Sequence, residues 1–141
     1  MNYKAFLLFL CTILHGDIHV FNRSAGTETE IKTLSNARLL YISAKDLARS
    51  FTSKIYENTE RKKIVLYISG VKVKISGNTS YVIIDDNAYQ MPEITIVREN
   101  DLYLPAEHFL NLLKSTMLPG INFDTKKELL EIDVIRFNIT D

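Results

Sequence analysis

Leu40-Tyr41-Ile42-Ser43-Ala44-Lys45-Asp46-Leu47-Ala48 decides the fold, because it occurs twice. It returns 62 residues later as Leu102-Tyr103-Leu104-Pro105-Ala106-Glu107-His108-Phe109-Leu110. In each copy a short apolar run leads into a helical pattern. Ala44, Leu47, Ala48 and Phe51 fall at i, i+3, i+4 and i+7, and Ala106, Phe109, Leu110 and Leu113 repeat that spacing. Such spacing places the apolar side chains on one face of a 3.6-residue helix. Ser43 is a suitable N-cap, with Asp46 three residues on as in a capping box. Pro105 takes the place of Ser43 in the second copy, and proline is tolerated where a helix begins.

The match continues outward from the helices. Lys54 to Tyr56 answers Ile121 to Phe123, and the charged turn at Glu57 to Lys62 answers Asp124 to Glu128. The β-rich Lys63 to Ser69 answers Leu129 to Val134. Between the copies, Val71-Lys72-Val73-Lys74-Ile75 alternates strictly, which predicts one buried and one wet strand face. Ser80 to Ile84 and Ala88 to Met91 form a predicted hairpin around Asp85-Asp86-Asn87, and short connections imply an antiparallel meander. The expected fold is therefore α+β: an antiparallel sheet with two packed helices, in two related strand-helix-strand-strand halves around a β-meander.

The chain has 141 residues, 17 basic and 17 acidic side chains and a formal net charge of zero. That length suits one domain, and the charge balance gives no general attraction to nucleic acid or an anionic membrane. Residues 1–19 read as a signal peptide, since Lys4 precedes the apolar run Ala5 to Leu14. That run is too short for a stable membrane span. The only cysteine, Cys11, lies inside it. Residues 20–38 read as a linker or ragged domain start, 39–135 as the domain, and 136–141 as the start of a further strand.

Tyr41 to Ala48 and Leu102 to Leu110 resemble the two "vPlralaea" motifs of the copper amine oxidase-like N-terminal domain. Lys63 to Gln90 is similar to that family's central β segment, with Gly70 at its turn and Val82 to Met91 matching its "v.idg..y.m" run. The chain departs from the pattern at Ser43, where the family often has proline, and it has no Trp. The resemblance implies an extracytoplasmic stalk, with copper and quinone chemistry belonging to a different domain. The version here is similar to segments that precede N-acetylmuramoyl-L-alanine amidase domains. It implies a non-catalytic exported module that positions or targets a bacterial cell-envelope enzyme. The alternative is a free-standing extracytoplasmic binding or inhibitory protein.

The residues carry no expected catalytic centre, metal site or cofactor. His15 and His19 share i, i+4 spacing but have no third ligand, and His108 is an isolated polar position on the second helix. Asp85-Asp86 is explained by a turn, since aspartates there bond their own backbone. Glu57, Glu60, Asp124 and Glu128 interleave with lysines in charged turns. No nucleophile elbow, phosphate loop or dinucleotide motif is present in the sequence. Lys72 and Lys74 on one strand face, with Arg61 and Lys62 in a charged turn, are the candidate surface for an anionic wall polymer, against the reading as a solvated edge where lysines discourage strand addition; an attached amidase domain is the other expected partner. Tyr41, Tyr56, Tyr67, Tyr81, Tyr89 and Tyr103 are expected to pack in the core and at its rim.

Overall fold

The computed structural model describes residues 17–36 and 38–133. The signal-type segment at 1–16, with Cys11 and His15, and the further strand expected at 136–141 lie outside them. Among the described residues the fold is α+β, with mostly antiparallel strands and two helices.

The repeated stretch forms the centre. Strands β3 (Thr33–Asn36) and β4 (Leu39–Ser43) make a hairpin, and so do β10 (Ile96–Arg98) and β11 (Asp101–Pro105). The two hairpins join through β4 and β11 into a sheet of order β10-β11-β4-β3. Its central register pairs Tyr41 with Pro105, Ile42 with Leu104, and Ser43 with Tyr103. Ile42 and Leu104 are equivalent residues of the repeat, so a local two-fold relation passes through their pair. The duplicated unit thus begins one strand earlier than the sequence pattern indicated.

Helix α1 (Ala44–Ser50) follows β4, and α2 (Ala106–Thr116) follows β11. The expected helical faces are the buried ones: Ala44, Leu47 and Ala48 in α1, and Ala106, Phe109, Leu110 and Leu113 in α2. Both helices pack against β4 and β11. Helix α2 is one turn longer and runs to Thr116 before Leu118 N–H bonds back to the Leu113 carbonyl at 2.7 Å. Helix α1 stops at Phe51, where Thr52 adopts a left-handed φ of 53°.

After each helix comes a hairpin: β5 (Lys54–Asn58) with β6 (Lys63–Ile68), and β12 (Ile121–Asp124) with β13 (Leu129–Ile132). Gly120 precedes β12 because a Cβ there would lie 2.1 Å from the Asp133 carbonyl oxygen. The first hairpin continues through the meander as β7 (Val71–Ser76), β8 (Tyr81–Ile84) and β9 (Asn87–Gln90), giving the sheet β5-β6-β7-β8-β9. Two-residue turns at Ser69-Gly70 and Asp85-Asp86 have positive φ at both positions. That conformation matches the twist of an antiparallel hairpin.

The second hairpin is completed differently. Of residues 20–38, expected as a linker, 20–36 are built mostly into strands. Strand β1 (Ile18–Asn22) pairs parallel with β13, and β2 (Thr27–Ile31) pairs antiparallel with β1. Ile18, Val20 and Ile31 are fully buried. The boundary expected at residue 19 therefore falls inside a core strand. A parallel neighbour needs a long crossover connection, so no local pattern announces the pairing.

Candidate functional site

The polar residues of the repeat serve the fold. Ser43 caps α1, with its Oγ accepting from Asp46 N–H at 3.0 Å. The same hydroxyl donates to Asp101 Oδ2. Asp101 Oδ1 also accepts from Leu102 N–H at 2.7 Å and Lys45 N–H at 3.2 Å. A carboxylate from the second half thus completes the cap of the first helix, where the dipole favours negative charge. Asp46 and His108, 62 residues apart and so equivalent in the repeat, differ in burial. His108 is exposed, whereas Asp46 is 2% exposed. Asp46 does not complete a capping box: its Oδ2 accepts from Lys32 N–H at 2.8 Å, and Oδ1 pairs with Arg49.

The other candidate groups are separated. His19 is exposed on β1. Among the described residues no group of three His, Cys, Asp or Glu side chains is placed to share a metal ion. Asp85 and Asp86 are the hairpin turn itself. Asn22 is buried and donates to the Ser50 carbonyl at 3.0 Å. A hollow of about 110 Å3 touches Glu57, Lys62 and Asp101, below the size that encloses a typical organic ligand. A larger one of about 320 Å3 lies beside Arg38, Pro105, His108 and Glu128. Among the described residues no helix is long and apolar enough to cross a membrane.

Lys72 and Lys74 stand where the alternation placed them, on the outer face of the five-stranded sheet, while Val73 and Ile75 are fully buried on the inner one. Arg61 and Lys62 are exposed in the β5–β6 turn at one end of that sheet. The register adds residues that the sequence reading assigned elsewhere. Lys54, Tyr67 and Lys72 lie directly across from one another on β5, β6 and β7. In the next row Tyr56, Val65, Lys74 and Ile83 do the same, and Lys63 and Tyr81 lie beyond. Side chains two residues apart on a strand, or opposite each other in a pair, share a face.

This outer face therefore carries four lysines and three tyrosines, and its strand positions include no carboxylate. Asp85, in the β8–β9 turn, borders it. Tyr56, Tyr67 and Tyr81 are 55%, 38% and 53% exposed, further out than the core and rim packing expected of the tyrosines. Tyr41 and Tyr103 meet that expectation, at 2% and 9%. The signal that separates the two groups is strand parity. Tyr67 alternates with buried Leu66 and Ile68, and Tyr81 with buried Val82. Parity could be read along each strand, but which strands lie side by side could not.

No family model matches the chain, and no curated protein and no solved structure matches it.

Proposed function

We propose that this chain is a non-catalytic, extracytoplasmic module that holds a cell-envelope enzyme against its polymer. On the resemblance to the copper amine oxidase-like N-terminal domain, that enzyme is a peptidoglycan amidase. The observation that supports binding is the outer face of the five-stranded sheet, where Lys54, Lys72 and Lys74 stand among exposed tyrosines without a strand carboxylate to neutralise them. A chain with zero net charge that gathers lysines on one face presents a local positive field to an anionic polymer. The duplicated core supports the scaffold half of the reading, because Ser43, Asp101 and Oδ2 of Asp46 are taken up by backbone and helix-cap partners.

Co-sedimentation of the purified protein with bacterial sacculi tests the proposal. The protein is expected in the pellet at low ionic strength and to be released progressively as salt is added. A protein that stays in the supernatant at low salt would refute it.

A further inference from the structure

We infer that the outer face of the five-stranded sheet is a subsite for a linear, negatively charged glycan, with Tyr67 as a stacking platform between the ammonium groups of Lys54 and Lys72. The inference rests on the envelope-binding reading above and specifies its ligand.

The geometry follows from register. Lys54, Tyr67 and Lys72 occupy one row across three adjacent strands, and all three are exposed. Neighbouring strands are about 4.8 Å apart, so the two lysines flank the phenol ring at roughly 10 Å from each other. A sugar ring laid on Tyr67 meets a cation on either side. Tyr56 lies diagonally next to Tyr67 and enlarges the platform. Val65, only 6% exposed, supplies an apolar floor between Tyr56 and Lys74. The polymer then crosses Lys74 towards Tyr81.

Two observations favour a glycan over single-stranded nucleic acid. First, the aromatic surface stops after the adjacent pair Tyr56 and Tyr67: the next tyrosine, Tyr81, is two strands and two rows from Tyr67, about 17 Å away across a lysine-covered stretch. Successive stacked bases call for closely spaced aromatic platforms. Second, the strand positions of this face hold lysines and no arginine. Lysine offers flexible point charges for any polyanion, whereas readout of base edges favours the arginine fork.

The test is calorimetric titration of the full chain with sodium alginate as the polyuronate probe, dextran as the uncharged one and an oligo-dT strand. Alginate is expected to bind, and dextran to bind at least about tenfold more weakly. Tyr67→Ala should weaken alginate about five- to tenfold and Tyr67→Phe should preserve binding. Lys54→Gln combined with Lys72→Gln should weaken it at least as much as Tyr67→Ala, while Lys114→Gln on α2 changes nothing. These are exposed positions, and melting curves confirm that each variant is folded. The inference is overturned if wild type ignores alginate, if Lys114→Gln costs as much as the face substitutions, or if oligo-dT binds more tightly than alginate. Sacculus binding that survives both Tyr67→Ala and the lysine pair refutes the subsite and leaves the envelope reading standing. Alginate binding without sacculus binding refutes only the envelope reading.

Discussion

Asp101 stands 58 residues from Ser43 and yet accepts its hydroxyl proton, so the start of α1 depends on both halves of the chain. The N-cap itself was legible from Ser43 and the apolar spacing behind it. Its carboxylate partner was not, because Asp101 reads locally as one more turn residue after Glu99 and Asn100. Asp46 illustrates the same limit. A charged residue in a first helical turn reads as solvated, and only the approach of the β2–β3 connection supplies the Lys32 N–H that buries it. These contacts predict how Ser43→Pro behaves. The backbone already has φ of −70°, which proline accepts. The substitution nevertheless removes the Ser43 N–H bond to the Lys32 carbonyl and both bonds of the hydroxyl. Urea unfolding is expected to show a loss of about 2–4 kcal/mol, even though Pro105 is native at the equivalent position. A loss below about 0.5 kcal/mol would show that the cap network is energetically idle.

At the scale of elements, the helices and the meander followed from periodicity, and β1 and β2 did not. Ile18-His19-Val20-Phe21-Asn22 alternates with the right period, but it directly follows an apolar leader-like run and precedes polar residues. Its partner β13 lies more than a hundred residues on, where no short turn can reveal the pairing. The burial of Ile18 and Val20 puts the start of the domain at or before Ile18. A protein lacking residues 1–16 is expected to melt cooperatively. One lacking residues 1–19 loses the fully buried Ile18, the pairing of His19 with Leu129 and the His19 N–H bond to the Glu128 carbonyl, and should melt lower by on the order of 10 °C. Equal melting temperatures by circular dichroism would mean that β1 contributes little to the core. For an exported form, the same argument places the mature N-terminus at or before Asp17.

For the molecule as a whole, the two halves meet at the Ile42–Leu104 pair, and each half brings a buried tyrosine to that junction, Tyr41 and Tyr103. Burial raises the pKa of both phenols above 10.0. Glu93 adds to the effect at Tyr41, where a hydrogen bond from Asn36 opposes it, and Asp101 and Glu99 add to it at Tyr103. The folded state therefore holds these protons more tightly than the unfolded chain does. Stability is complete below the unfolded pKa of about 10 and is lost as pH rises through the higher folded values. Melting temperature should accordingly fall above about pH 10, and Tyr41→Phe combined with Tyr103→Phe should flatten that fall. An unchanged alkaline slope in the double variant would assign the loss to other groups.

The sequence alone determined the duplicated strand–helix units, their buried faces, the hairpin turns and the outward direction of Lys72 and Lys74. Each of these is set by spacing within a few residues, where side-chain period and backbone preference act directly. Tertiary structure alone decided that β1 completes the second half in parallel with β13, that Asp101 caps a helix of the other half, and that Lys54, Tyr67 and Lys72 form one row. Those depend on which strands become neighbours. That choice is made by closing the common core around Ile42 and Leu104, and no local pattern in the chain records it.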